Sequence, residues 1–290
     1  MNRLRLYLKL LRPHQWIKSG FVFVGLLFGH AWNDPVLVGA VLRAAAAFAG
    51  AASAIYVLND YIDRERDRAH PEKCRRPLAC GAISGGEAAL LGVVCLGVAL
   101  ALAASVSSLV FGVIAAYLLL NVAYSLGLKH VVLLDVFIIS AGFMLRILAG
   151  TLGVGIEPSH WLLLCGLLVT LFLGFAKRRA ELAALEGGGG SHRQVLDDYD
   201  PQLLDKLIGI CAAGTLVTYS LYTVSPETVA MHGTGNLVYS VPCVLYGLFR
   251  YLFLLHRRGG GGDPAAALLG DRHLLGAFVA WLAVVLLVLG

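Results

Sequence analysis

The amino-acid sequence predicts an all-α polytopic membrane protein, and three observations predict it. Of 290 residues, 58% are apolar and only 14% charged, against about 25% charged in an average soluble domain. The apolar residues fall into runs long enough to cross a bilayer core of roughly 30 Å, which needs about 20 helical residues. The basic residues collect in alternate connections between those runs. A soluble enzyme, a disordered chain and a disulfide-stapled secreted domain are excluded.

Apolar runs bounded by polar breaks predict spans at 17–33, 38–58, 84–104, 106–127, 131–150, 160–177, 203–224, 235–255 and 271–290. That makes nine, the first and sixth being short. Lys and Arg orient them. Arg3, Arg5, Lys9, Arg12 and Lys18 precede the first span, and Arg64, Arg66, Arg68, Lys73, Arg75 and Arg76 follow the second. Lys129, the Lys177–Lys206 group and Arg257, Arg258 and Arg272 lie on the same side. The opposite connections (30–37, 104–107, 151–159 and 225–234) contain neither residue. The N-terminus is therefore expected in the cytoplasm and the C-terminus outside.

The whole chain, 1–290, reads as one transmembrane domain. Its two long polar connections, about 59–83 and 178–202, are expected to cap a site on the cytoplasmic face, because long loops in compact proteins are commonly functional. Gly187–Gly190 and Gly259–Gly262 read as spacers. The six cysteines show no CxxC or metal-ligand spacing and read as reduced and structural. No cleavable signal peptide, sequence repeat or nucleic-acid module is evident.

The strongest chemical signal is Asn59-Asp60-Tyr61-Ile62-Asp63-Arg64-Glu65-Arg66-Asp67. If the second span continues as a helix, Asn59, Asp63 and Asp67 fall at i, i+4 and i+8, each step rotating about 40°, on one face over roughly 12 Å. Oxygen ligands so placed suit Mg²⁺, which takes one or two carboxylates, waters and substrate phosphate oxygens. A solvated helix end with Asp–Arg pairs is the plainer reading. His70, Lys73, Arg75 and Arg76 follow directly. Acids that hold metal beside bases that pair with phosphate describe a metal–diphosphate site, although topology alone also accounts for Arg75 and Arg76.

With Asn59-Asp60-x-x-Asp63-x-x-x-Asp67 closing a second span, the chain resembles the UbiA superfamily of intramembrane prenyltransferases over its whole length. Arg12-Pro13-His14-Gln15-Trp16-Ile17-Lys18, Asp67-Arg68-Ala69-His70-Pro71, Tyr124-Ser125-Leu126-Gly127-Leu128-Lys129 and Lys177-Arg178-Arg179-Ala180-Glu181-Leu182 resemble its decaprenyl-phosphate phosphoribosyltransferase branch. The resemblance implies a UbiA-like arrangement of nine helices around a central cavity open sideways to lipid, in a bacterial cytoplasmic (inner) membrane. It implies transfer of 5-phosphoribose from phosphoribosyl pyrophosphate to a polyprenyl phosphate, with Mg²⁺ held by Asn59, Asp63 and Asp67. Where aromatic prenyltransferases carry a second aspartate-rich motif, this chain has Lys177-Arg178-Arg179-Ala180-Glu181, and Asp197, Asp198, Asp200 and Asp205 do not match its spacing. Cations in place of carboxylates suit a substrate set with more phosphate and less metal.

The catalytic candidates are thus Asp63, Asp67, Lys177 and Arg178. Lys18, Asn59, Lys73, Tyr124, Lys129, Glu181 and Tyr199 are candidates for binding substrate. Each has a plainer reading: snorkelling for Lys18, an interfacial anchor for Tyr124, inside charge for Lys129, and a helix-end ion pair for Arg178 with Glu181. Tyr199 belongs to a loop that either closes over the site or is merely solvated. Asp135, one turn into the fifth span, needs a partner, and Lys129 is the nearest cation in sequence. Arg43 and Arg146 have no evident partner. A homo-oligomer is compatible with the sequence and is not specified by it. The competing functions are a UbiA-type prenyltransferase acting on an aromatic or other lipophilic acceptor, and a carrier of anionic metabolites. The carrier fits less well, since transporters gather polar groups at mid-membrane.

Overall fold

The computed structural model describes residues 3–69, 73–186, 194–258 and 264–289. Two compact units emerge, Met1–Leu126 with Leu145–Glu157, and Gly127–Met144 with Pro158–Gly290. Among the described residues eight helices are long and apolar enough to cross a membrane, matching the second to ninth predicted spans of a multi-pass membrane protein.

The first unit opens with α1 (Arg3–Leu11), which buries Leu6 and Leu10 and pairs Arg3 with Glu87 at 2.9 Å. Arg12 adopts a left-handed conformation (φ 52°) that ends the helix. Pro13 then starts a 3₁₀ segment, Pro13–Phe23, which leads into the five-residue α2 (Val24–Phe28). The first predicted span, 17–33, is therefore not a long α-helix. Gly20, Gly25 and Gly29 lower its helix propensity.

Helix α3 (Pro35–Ile62) is capped by Asp34, whose carboxylate accepts the Val36 and Leu37 N–H groups at 2.8 and 3.2 Å. It runs four residues past the predicted end, so Asn59 is helical, and α4 (Arg64–Arg68) follows after Asp63. A capping box, Ser84 with Glu87, starts α5 (Gly85–Val106), which leads to α6 (Ser108–Leu126). Helices in lipid gain little from hydrophobic burial and rely on close packing of small residues. Here Ala44, Ala47, Ala51, Ala99 and Ala103 share one buried cluster with Phe48, Ile114 and Tyr117. Two of the arginines left without partners by the sequence have them: Arg43 reaches the Gly39 and Ser105 carbonyls, and buried Arg146 stacks on Phe48 and Tyr117.

Helix α7 (Leu134–Gly150) has its first part in the second unit and its end, from Leu145, in the first. Its last residue lies so close to the 3₁₀ segment that a Cβ on Gly150 would fall 1.7 Å from the Val22 carbonyl oxygen.

In the second unit a 3₁₀ turn, Leu128–His130, precedes α7. Helix α8 (His160–Glu186) continues beyond the predicted 177 because Lys177 to Glu186 are nearly all strong helix formers. The first part of the predicted 178–202 connection is thus helical. Asp200 caps α9 (Pro201–Val224), and α10 (Pro226–His232), α11 (Val241–Arg258), α12 (Pro264–Gly270) and α13 (Arg272–Leu289) complete the unit. Leu171, Phe172 and Phe175 of α8 share a core with Leu204 and Ile208 of α9 and Tyr251 and Leu254 of α11. At the start of α13, a two-pronged hydrogen bond from Arg250 holds the Asp271 carboxyl well below the usual range. All six cysteines are free. The glycine runs and His70 lie outside the described residues.

Candidate active site

In the first unit the predicted metal face is built on an unbroken register. The Asp63 N–H donates to the Asn59 carbonyl at 2.9 Å, and the Asp67 N–H donates to the Asp63 carbonyl at 2.8 Å. The three positions thus stay one helical turn apart across the α3–α4 junction. Their surroundings differ. Asn59 and Asp63 are half-buried and Asp67 is buried. The Ser125 hydroxyl lies 2.8 Å from Asn59 Oδ1, while the Asp63 carboxylate has no side-chain partner among the described residues.

The plainer reading had Arg64, Arg66 and Arg68 neutralising these aspartates. The structure gives another pairing. Arg64 and Arg68 both go to Glu65, at 3.3 and 2.8 Å, and Arg64 also stacks on Tyr61. Asp67 takes Arg76 instead, Oδ2 to Nη1 at 2.7 Å. The same Nη1 lies 3.1 Å from Asp60 Oδ1, which also receives Arg12 Nη2 at 2.6 Å. Arg12, Asp60 and Arg76 therefore frame the candidate site, and the sequence reading gave them no individual role. One signal was available: Asp60 sits about 100° round the helix from Asn59, on a face where a carboxylate demands a cation. Arg12 lies over the Tyr56 ring as well, and the Trp16 indole N–H donates to Ser53 at 3.0 Å. Lys18 falls in the 3₁₀ segment, Lys73 in the Lys73–Arg75 turn just before Arg76, and Tyr124 on α6 beside Ser125; all three are half-buried.

These residues fit Mg²⁺ as a partial cage. Among the described residues no three Asp, Glu, His or Cys side chains converge on one point. Two carboxylates and an amide oxygen are what Mg²⁺ uses when phosphate oxygens and waters complete its octahedron. The Asp67–Arg76 pair occupies one of those oxygens, so a metal bound there would compete with the guanidinium for it.

In the second unit Arg178 is only 1% exposed. Its Nε donates to Asp135 Oδ2 at 2.6 Å and its Nη1 to Glu181 Oε2 at 2.5 Å. The Tyr199 hydroxyl donates to the other Asp135 oxygen at 2.7 Å and accepts the Leu133 N–H at 2.8 Å. Leu133 pays for that approach with a left-handed backbone (φ 67°). Burial, then the hydrogen bond to Asp135, pushes the Tyr199 phenol up, so it stays a neutral donor. Asp135 thus pairs with Arg178 and Tyr199; Lys129, its expected partner, is excluded from that network. Arg178 forms the expected pair with Glu181 and adds Asp135 to it. The neighbouring cations Lys177 and Lys129 are half-buried. Of the later acids, Asp200 caps α9 through the Leu203 N–H, and Asp205 pairs with Arg179 and His256 at 3.1 and 3.3 Å. Asp197 and Asp198 are exposed.

Comparison with known proteins bears on the chain as a whole. Residues 19–275 match the model of the UbiA prenyltransferase family. The chain is 33% identical to the decaprenyl-phosphate phosphoribosyltransferase of Corynebacterium glutamicum, over 94% of this chain and 83% of the relative. It is 32% identical to the enzyme of that name from Mycolicibacterium smegmatis, over 96% and 90%. Among solved structures, a UbiA homologue from Archaeoglobus fulgidus bound to GPP and Mg²⁺ superposes with a TM-score of 0.72 at 19% identity, covering 98% of this chain and 99% of that one. That likeness is one of fold. A register of Asn59, Asp63 and Asp67 at the end of a membrane helix, a family match across most of the sequence and a shared architecture lead to one conclusion: this chain is a membrane transferase belonging to the UbiA prenyltransferase family.

Proposed function

We propose that the protein transfers 5-phosphoribose from phosphoribosyl pyrophosphate to a polyprenyl phosphate and releases diphosphate. The names of its relatives support the phosphoribosyl group and the polyprenyl phosphate acceptor. The observation that carries the choice against a two-metal prenyltransferase is the employment of the second acidic run: Asp200 caps a helix and Asp205 pairs with Arg179 and His256. Each has one oxygen already engaged, and the run does not match the spacing of a second metal motif.

Asp63 and Asp67, with the Asn59 amide oxygen, would hold Mg²⁺, which supplies charge neutralisation to the departing diphosphate. In the first unit Lys18 and Lys73 pair with phosphate groups that donor and acceptor carry besides the diphosphate, and Lys129 and Lys177 are the candidates of the same kind in the second. Arg178 positions Glu181 and the start of α7 through Asp135, and the Tyr199 hydroxyl fixes that carboxylate from its other side. Tyr124 lines the approach beside Asn59. The phosphate oxygen of the lipid is already an anion near neutral pH, so the reaction needs no strong base. That oxygen attacks the anomeric carbon, the bond from that carbon to the diphosphate oxygen breaks, and the configuration inverts. Catalysis is positioning and stabilisation of the leaving group. A lipid acceptor explains the membrane setting, because its hydrocarbon tail leaves the bilayer only at large hydrophobic cost. The site opens to the cytoplasm of a bacterial inner membrane, where the basic connections gather.

Membranes containing the protein, given phosphoribosyl pyrophosphate labelled in the ribose and a polyprenyl phosphate, should move label into the lipid fraction. A membrane that leaves the label in water yet consumes a prenyl diphosphate overturns the reading. Asp63→Asn and Asp67→Asn should each lower turnover by about 10²–10³-fold at unchanged protein level.

A further inference from the structure

We infer that Arg76 is a positioning residue that substitutes for the divalent cation on Asp67 in the metal-free protein and moves to the diphosphate once the metal is bound. The inference rests on the reading of Asp63 and Asp67 as the metal-holding pair.

Charge and burial argue for it together. Asp60 and Asp67 are 3% and 5% exposed, and a buried carboxylate without a counter-charge is costly. Arg76 answers both through one nitrogen, at 3.1 and 2.7 Å. The two guanidiniums of Arg12 and Arg76 balance Asp60 and Asp67, which leaves the negative charge of Asp63 without a paired cation among the described residues. A divalent cation balances Asp63 and Asp67, so Arg76 then becomes surplus positive charge beside the metal. An arriving diphosphate takes up that surplus, because a guanidinium matches phosphate oxygens in a two-pronged geometry.

The protein also separates what moves from what stays. Asp60 also holds Arg12 at 2.6 Å, a counter-charge of its own besides Arg76. The backbone of Arg76 is fixed: its N–H donates to the Lys73 carbonyl at 2.9 Å, its carbonyl accepts the Cys80 N–H at 2.9 Å, and Pro77 follows. Lys9 secures the preceding carbonyl at 3.2 Å. The Arg76 side chain is 29% exposed, so it can turn while its turn of chain stays in place. Arg76 and metal compete for Asp67, whereas Arg76 and diphosphate cooperate.

The test uses the full chain in lipid nanodiscs, with Mn²⁺ alone and then inorganic pyrophosphate in saturating Mn²⁺, both followed by calorimetry. Arg76→Gln should bind Mn²⁺ about fivefold or more tighter and pyrophosphate about fivefold or more weaker, the scale of an ordinary coupling between sites. Arg76→Lys should shift both in the same directions by less. Opposite signs are the signature, since a merely structural role weakens both. Unchanged or weaker Mn²⁺ binding in both variants, or undiminished pyrophosphate binding, overturns the inference. So does failure of both variants to accumulate, which would make Arg76 a permanent plug. Asp63→Asn separates the two levels of argument. If it leaves Mn²⁺ affinity unaltered, the metal reading falls and takes the inference with it; if it abolishes binding while Arg76 has no effect, only the inference falls.

Discussion

Asp135 has no exposure to solvent and sends one carboxylate oxygen to Arg178 and the other to Tyr199. Removing one member of a buried ion pair strands the other, typically at a cost of about 3–5 kcal/mol. Asp135→Ala should therefore lower the melting temperature of the detergent-purified protein sharply, and more than Glu181→Ala, whose carboxylate is a quarter exposed. Equal melting temperatures for the two variants would contradict this. The need of Asp135 for a partner was legible in the sequence, as a carboxylate one turn inside an apolar run. The partner was not: Arg178 lies 43 residues away, and only the fold brings its guanidinium to Asp135. The same limit hid Arg76. The turns separating the Asn59, Asp63 and Asp67 positions are local and could be counted along one helix, whereas the return of residues 73–76 to Asp67 could not.

At the scale of elements, span existence was legible because an apolar run of bilayer length has few other uses. Span ends were not, because helix formation continues wherever propensity and caps allow. Thus α3 extends to Ile62 and α8 to Glu186, carrying Asn59 and Glu181 onto regular helix. The first element is the one whose winding differs from the expected α-helix. Its apolar content matched a span, but Pro13 and three glycines replace most of an α-helix with 3₁₀ winding. Gly150 makes the close approach of that segment to α7 testable. Gly150→Ala would drive a methyl group into the Val22 carbonyl and should reduce the folded yield severely, as read by size-exclusion chromatography in detergent. Gly209→Ala on α9, with nothing within 4 Å of the added carbon, should be neutral or stabilising by up to about 1 kcal/mol. Similar yields for the two variants would refute the packing argument.

At the scale of the whole molecule, the charge asymmetry of the connections predicts sidedness. Exposed Cys80 should react with a membrane-impermeant maleimide in inside-out vesicles and not in intact spheroplasts. Met231→Cys, half exposed in a connection without Lys or Arg, should do the reverse in a background lacking the native cysteines. Labelling of both from one side would break the orientation. Which lipid the transferase uses was not legible at this scale: composition reports a membrane, and only motifs and relatives report chemistry.

The 3₁₀ winding of the first segment has a geometric consequence. A 3₁₀ helix rises about 2.0 Å per residue and an α-helix about 1.5 Å. The eleven residues of Pro13–Phe23 and five of Val24–Phe28, laid end to end, therefore reach about 30 Å, the thickness of the hydrocarbon layer. If this segment crosses the bilayer, sixteen residues cover the distance that ordinarily takes about twenty. An Arg5→Cys side chain should then be labelled from the same side as Cys80, and an Asn33→Cys side chain from the other.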